Sequence, residues 1–137
     1  MIINKKIKHI TYNINFYNNA NSFKLLAFII DSCNYTCEYC YNDLPRTNKK
    51  IDLNKLYFFI TEILLKKLKK EYIWLELIGG EPTLHPDLVE FCEKISKIDN
   101  INTTIYTNFS KSVDYYIKLL EIDKRISLIL SWHNANF

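Results

Sequence analysis

Three of the four cysteines in the chain lie within one short stretch, DSCNYTCEYCYN. Cys33, Cys37 and Cys40 are separated by three and then two residues. Thiolates bind zinc ions and iron–sulfur clusters, and a loop with this spacing can wrap one inorganic centre. A structural zinc ion needs a fourth ligand, whereas three thiolates on a four-iron cluster leave one iron open for a reactant. The spacing favours a cluster, with a zinc site completed by a distant His or Asp as the alternative.

Both glycines of the chain stand together, at Gly79 and Gly80, directly before Glu81 and Pro82. Average usage would give about ten glycines in a chain of this length. Glycine permits a positive φ or the close approach of a ligand to the backbone. A carboxylate after such a turn can accept a hydrogen bond from a ligand ammonium group. We therefore expect a ligand-binding turn here, with an ordinary strand-ending turn as the alternative.

Apolar periodicity predicts the elements that position these motifs. The predicted core strands are 23–31, 72–78, 101–107 and 126–131, and the predicted helices between them are 52–70, 86–98 and 110–121. Alternation over 7–17 predicts one extra strand before them, followed by a turn at 18–22. Strands that alternate with helices imply a parallel sheet with right-handed crossovers. The apolar runs at 23–31 and 72–78 are typical of strands covered on both faces.

The helices carry three more expectations. Cys92 lies in the apolar stripe of the second helix, so we predict a buried core thiol rather than a fourth ligand. Pro86 suits the first position of that helix, and His85 before it is predicted to cap the helix rather than to act in catalysis. The predicted apolar face of the third helix consists of Val113, Tyr116, Ile117 and Leu120.

Sites in parallel α/β folds lie at the carboxyl ends of the strands. The unusual residues of this chain all fall there. The four predicted strands run, in order, into the cysteine loop, the 79–82 turn, Thr107 with Asn108, and Ser131 with His133. Four loops therefore meet on one face, which predicts a functional site independently of any motif.

Two of these stretches resemble motifs of one family. CNYTCEYC resembles the Cx3Cx2C signature of radical S-adenosylmethionine (radical SAM) enzymes, with the aromatic Tyr39 before the last cysteine. GGEPTLHP, residues 79–86, resembles the second motif of that family. Thr107 and Asn108 resemble its Thr-Asn-Gly, with Phe109 in place of the glycine. The resemblance covers roughly residues 24–133 and implies an α/β fold, a partial (β/α) barrel of parallel strands.

The resemblance also implies cofactors and residue roles. The implied catalytic and cluster-ligating residues are Cys33, Cys37 and Cys40. A [4Fe-4S] cluster on them would bind S-adenosyl-L-methionine through its open iron and reductively cleave it to a 5′-deoxyadenosyl radical, which would abstract hydrogen from a substrate. The glycine turn with Glu81 would hold the amino group of the cofactor, the backbone beside Tyr39 would meet the adenine, and Ser131 would lie near the ribose or carboxylate. The implied cofactor-binding residues are Tyr39, Gly79, Gly80, Glu81, Thr107, Asn108, Ser131 and His133.

The family usually has six βα units, and this sequence supplies four core strands. We expect residues 1–22 to form an N-terminal strand and turn, and 23–137 to form the N-terminal part of a C-terminally incomplete radical SAM domain. The strand at 126–131 would then be an open edge for a partner chain or a second copy. The resemblance further implies a substrate, which the sequence does not identify, and a reducing protein such as flavodoxin or ferredoxin.

Composition favours a folded cytoplasmic protein of one domain. The longest apolar run, LLAFII, is too short to span a membrane, and the N-terminus lacks the apolar segment of a signal peptide. The net charge is +3, with 16 lysines among 18 basic residues. Because arginine, the better reader of bases, is scarce, the lysines favour a solvated surface over nucleic-acid binding. The alternatives left open are a non-catalytic module stapled by zinc or a cluster, a truncated remnant, and a lysine-rich nucleic-acid binder with a cysteine knuckle.

Overall fold

The computed structural model describes residues 13–15, 22–38, 40 and 47–131. They form a five-stranded sheet of order β1-β2-β3-β4-β5. The strands are β1 Asn13–Asn15, β2 Ser22–Ile30, β3 Tyr72–Gly79, β4 Ile101–Thr107 and β5 Ile126–Leu130. β2 to β5 are parallel, and β1 pairs antiparallel with β2. The predicted parallel core and the extra N-terminal strand are confirmed; the rest of the predicted 7–17 strand and most of the turn after it lie outside the described residues.

A helical segment follows each of the first three parallel strands. The helices are α1 Leu53–Phe58, continued by a π-helical segment Phe59–Lys67, α2 Leu88–Ile95 and α3 Val113–Ile122. Asp52 caps α1 by accepting a hydrogen bond from the Asn54 N–H at 2.9 Å. The wider winding after α1 is shown by Leu68, whose N–H donates to the Ile63 carbonyl at 2.8 Å. None of the helices in the described part of the chain has the length and hydropathy of a membrane span.

The start of α2 differs from the prediction. Pro86 does not open the helix, which begins at Leu88 after a 3-10 turn, Pro82–Leu84. The buried ring of His85 accepts a hydrogen bond from the Asp87 N–H at Nδ1, at 3.2 Å, and its Nε2 lies 2.9 Å from the Ile51 carbonyl. Because Nδ1 accepts, Nε2 carries the proton and donates. His85 therefore holds the turn before α2 and ties it to the start of α1. The residue that caps α2 is Asp87, without a side-chain capping hydrogen bond, so the predicted capping role of His85 is wrong.

One hydrophobic cluster joins the helices to one face of the sheet. The buried strand residues alternate: Phe23, Leu25, Ala27 and Ile29 on β2, and Ile73, Leu75 and Leu77 on β3. Cys92 is fully buried in this cluster, and burial raises the pKa of its thiol to about 12, which confirms the predicted core cysteine. On the opposite face Leu26 and Phe28 are half-buried and Trp74 is 48% exposed, so the expectation of two covered faces is wrong. All the described helices pack on the same side, as parallel crossovers of one hand require.

The predicted apolar face of α3 is also wrong. Of its four residues only Tyr116 is buried, and Leu119 is the other buried residue of the helix. The inward face of the helix is fixed by Leu119, which packs in the hydrophobic cluster, and by Tyr116, whose hydroxyl lies 3.2 Å from Thr107 Oγ1. This rotation of the helix leaves three apolar side chains of α3 exposed, Val113, Ile117 and Leu120. Two apolar side chains of β5, Ile129 and Leu130, are exposed as well.

Candidate functional site

A cavity of about 160 Å³ lies at the carboxyl ends of the parallel strands. Its lining combines residues of the cysteine loop, the glycine turn and the ends of β4 and β5: Cys33, Tyr35, Cys37, Cys40, Ile78, Gly79, Gly80, Glu81, Tyr106, Thr107, Asn108 and Ser131. The structure thus brings together all the predicted site residues that it describes; Tyr39 and His133 lie outside the described residues. Sequence reasoning missed Tyr35, Ile78 and Tyr106, whose only signal was their position next to predicted site residues.

The three thiols line the wall of this cavity and are half-buried. The Cys40 N–H donates to the Cys37 carbonyl at 3.1 Å, which folds the second half of the loop into a turn. Among the described residues, no three His, Cys, Asp or Glu side chains are close enough to hold a single metal ion. The sulfurs are therefore spread along the wall. The Cys33 sulfur already accepts from the Tyr35 N–H, at 3.5 Å.

The two glycines are required by the chain's own backbone. A Cβ on Gly79 would lie 2.3 Å from the Ile30 carbonyl oxygen, and one on Gly80 would lie 2.2 Å from that of Ser32. Neither glycine has a positive φ. The N–H groups of Gly80 and Glu81 donate to these same two carbonyls, each at 2.8 Å. Glycine was expected here for a positive φ or for the close approach of a ligand. The structure shows no positive φ and a close approach of the chain's own backbone, where the end of β3 lies against the start of the cysteine loop; the approach of a ligand stays a prediction.

The Glu81 carboxylate is buried, with 1% of the residue exposed. Its Oε1 accepts from the Thr83 N–H at 3.1 Å, from the Thr83 hydroxyl at 2.6 Å and from the Thr107 hydroxyl at 2.7 Å. Its Oε2 accepts from the Asn108 N–H at 2.7 Å. Both oxygens are directed at protein donors, so this side chain fastens the end of β3 to the end of β4.

A second network supports the loop after β4. The Thr107 hydroxyl gives its proton to Glu81, so it accepts from the Phe109 N–H at 3.1 Å and from the Tyr116 hydroxyl at 3.2 Å. Phe109 has a φ of 58°, in the left-handed region that favours glycine. Its ring stacks on that of Tyr116, with centroids 3.9 Å apart and planes 9° apart. The loop thus keeps a glycine-like turn with a phenylalanine, and the stacked pair offsets the backbone strain.

The end of β5 is joined to the same region. The Ser131 N–H donates to the Thr107 carbonyl at 2.9 Å, which continues the β4–β5 pairing by one residue into the cavity wall. Tyr106 precedes Thr107 on β4 and, by the alternation of a strand, presents its side chain to the other face of the sheet. The wall of the cavity is therefore built from the last residues of neighbouring strands.

Comparison with known proteins places these residues in a known family of sequences. The family model of the radical SAM superfamily matches residues 28–130. The GTP 3′,8-cyclase of Haemophilus influenzae (strain 86-028NP) is 35% identical over 87 residues, which are 62% of this chain and 25% of that protein. The GTP 3′,8-cyclase of Microcystis aeruginosa is 29% identical over 97 residues, 67% of this chain and 29% of that protein. The chain spans about a quarter of the length of these curated relatives. No solved structure matches the chain.

The Glu81 network generates the first prediction. Glu81→Gln replaces one acceptor oxygen by an NH2 group, so either the Asn108 N–H or the threonine donors lose their partner. We expect the free energy of unfolding to fall by about 1–3 kcal/mol, the cost of a buried unsatisfied donor. Urea denaturation at neutral pH measures the change. The control is Glu93→Gln, which changes the same groups on the exposed side of α2. Equal stability of the two variants would contradict the role of the carboxylate.

The left-handed turn generates the second prediction. Phe109→Ala removes the stacking and keeps the strained φ, whereas Phe109→Gly removes both. We expect the glycine variant to be the more stable of the two by about 1 kcal/mol, because a non-glycine residue in this region costs about that much. At Lys118, an exposed position inside α3, the order should reverse, since alanine stabilises a helix over glycine by about 1 kcal/mol. Thermal or urea unfolding of the four variants measures both differences in stability. A Phe109→Ala variant that is more stable than Phe109→Gly would refute the backbone strain at position 109.

Proposed function

The chain belongs to the radical SAM superfamily, and from that premise we propose that its cavity holds a [4Fe-4S] cluster and S-adenosyl-L-methionine. When bound and reduced, the cluster supplies the one electron that breaks the S–C5′ bond of the cofactor, giving methionine and a 5′-deoxyadenosyl radical that takes hydrogen from a substrate. One observation carries the proposal. Three thiols and the glycine turn meet in one cavity at the carboxyl ends of the parallel strands.

The chemistry of the donor set supports a cluster. We propose Cys33, Cys37 and Cys40 as its three ligands, since each lies in the cavity wall. The fourth cysteine does not compete with them. Cys92 is enclosed in the core, where burial raises the pKa of its thiol to about 12, so it stays protonated and cannot ligate. A set of three thiolates leaves one iron for the cofactor.

We propose that the glycine turn and the ends of β4 and β5 hold the cofactor. Gly79, Gly80, Asn108 and Ser131 lie in the cavity wall and are positioned by backbone hydrogen bonds or close packing. Glu81 and Thr107 are almost fully engaged with other protein groups. Their direct contact with the cofactor stays a prediction, and the hydrogen bonds support an indirect role through the wall that they fix. The roles of Tyr39 and His133 also stay predictions.

The substrate and the reductant are proposed from the family. The relatives matched by this chain are named GTP 3′,8-cyclases, so GTP is the first substrate to test. Because the chain corresponds to about a quarter of their length, the shared segment supports cluster and cofactor chemistry more directly than substrate choice. We propose a flavodoxin or a ferredoxin as the electron donor.

Anaerobic reconstitution with iron and sulfide tests the proposal. We expect about four irons per chain, as in a [4Fe-4S] cluster, and 5′-deoxyadenosine after reduction in the presence of S-adenosyl-L-methionine. Cys37→Ala should lose both, because one ligand is removed. Cys92→Ala is the matched control: it also removes a thiol, but one in the core, and should keep the iron content.

The alternative outcomes separate the remaining hypotheses. If a cluster forms but no 5′-deoxyadenosine is produced, the cysteine loop can bind the cluster and cleavage of the cofactor needs a partner chain. Zinc in place of iron, with no affinity for the cofactor, would favour a metal-stapled binding module. Equal iron content in Cys37→Ala and the unmodified chain would refute the assignment of the ligands.

We also propose that the apolar surface formed by α3 and β5 binds a second copy of the chain or a partner. Ile117 on α3 and Leu130 on β5 are both more than 40% exposed, Leu130 pairs with Thr107 on the face of the sheet that α3 covers, and β5 ends the order of the described sheet. Exposed apolar edges are surfaces for association. We expect the sedimentation coefficient to rise with concentration, and Leu130→Lys to suppress the rise. Lys118→Ala, on an exposed position of α3, is the control. A monomer at all concentrations would count against the proposal.

A further inference from the structure

We propose that Asn108 is a positioning residue for Cys33: its amide donates an N–H···S hydrogen bond to this cluster ligand and raises the reduction potential of the cluster. The inference rests on the proposed function, because it concerns the cluster that the three cysteines would hold. A residue of the loop after β4 would thus influence the reduction potential of the cluster, which the spacing of the cysteines alone does not predict.

The geometry points from Asn108 to the cysteine loop. Asn108 Nδ2 lies 2.9 Å from Asn34 Oδ1 and 3.8 Å from Cys33 Sγ. An amide nitrogen carries two hydrogens, so it can donate to both acceptors at once. The longer distance is the one to sulfur, whose larger radius lengthens its hydrogen bonds. The side chain thus bridges two residues of the loop that begins at the carboxyl end of β2.

The orientation of the amide is fixed by a neighbour. Asn108 Oδ1 accepts from the Ser110 N–H at 3.1 Å. Exchanging the amide nitrogen and oxygen would place an NH2 group against this N–H and an oxygen against Cys33 Sγ, with loss of both hydrogen bonds. The hydrogen-bond network therefore assigns the donor side of the amide to the sulfur.

The main chain of Asn108 is fixed as well. Its N–H donates to Glu81 Oε2 at 2.7 Å, and the Glu81 carboxylate is buried. On either side, Thr107 is buried and Phe109 is stacked on Tyr116. The donor is thus held in place before any ligand binds, which makes it a preorganised group rather than a mobile surface amide. A second donor, the Tyr35 N–H, lies 3.5 Å from the same sulfur.

Hydrogen bonds to cluster sulfurs raise the reduction potential, because the positive end of the N–H dipole stabilises the added negative charge of the reduced state. Loss of one such hydrogen bond should shift the reduction equilibrium by up to about tenfold, which is 59 mV for a one-electron couple. The shift would make the cluster harder to reduce.

The test is an anaerobic redox titration of the reconstituted chain, followed by the electron paramagnetic resonance signal of the reduced cluster. Asn108→Leu removes the donor at similar volume, and Asn108→Asp replaces it by a carboxylate while keeping an acceptor for Ser110. We expect the potential to fall in the leucine variant and to fall further in the aspartate variant. Asn102→Leu, which replaces a half-buried asparagine on β4, the strand that precedes Asn108, is the control and should keep the potential.

The outcomes distinguish this inference from the proposed function. If the unmodified chain takes up no cluster, the proposed function fails. If clusters form and both Asn108 variants keep the potential, the role of Asn108 is overturned. If the variants lose cluster uptake but keep the circular dichroism spectrum and urea midpoint of the control, a role in positioning Cys33 is supported. Loss of the fold in both variants would reduce Asn108 to a structural residue and overturn the inference.

Discussion

The buried carboxylate of Glu81 is the constraint on which the site depends. An ionised group without partners costs several kcal/mol in a protein interior, so the fold must supply donors wherever this side chain is enclosed. It does so from two places, the turn that contains Thr83 and the end of β4 with Thr107 and Asn108. Satisfying one carboxylate therefore fixes the relative position of two strand ends. The rest of the cavity wall is arranged around that junction.

The backbone extends the junction to the other strands. With no side chain on Gly79 or Gly80, the end of β3 can approach the residues that follow β2, and two N–H groups bond to the Ile30 and Ser32 carbonyls. These carbonyls belong to the last three residues before Cys33. On the other side, the Ser131 N–H reaches the Thr107 carbonyl. The ends of β2, β3, β4 and β5 are thus joined in one chain of contacts, and the cysteine loop begins from a fixed point.

Local sequence patterns were enough to predict the parallel strands, the helices between them and the proximity of the cysteine loop to the glycine turn. The features that these patterns did not predict depend on contacts between residues distant in sequence. The apolar face of α3 could pass through Ile117 or through Leu119. Contacts distant in sequence decide between them: Leu119 packs in the core, and Tyr116 contacts Thr107. The role of Glu81 depends on Thr107 and Asn108, 26 and 27 residues away. The glycines were correctly singled out, but the atoms that require them belong to Ile30 and Ser32.

Phe109 stands where the motif that this segment resembles has glycine, and its contacts compensate for that difference. The turn after β4 needs a left-handed residue. A phenylalanine in that conformation lowers the stability of the fold by about 1–2 kcal/mol. An aromatic pair raises it by about 0.5–1.5 kcal/mol beyond the contribution of burial. The pair is made with Tyr116, whose hydroxyl also contacts Thr107, the partner of Glu81. The strained residue is therefore coupled to the network that holds Asn108 beside Cys33. Because Phe109 directly follows Asn108, the stacked pair supports the same turn that directs the Asn108 amide at the cysteine loop.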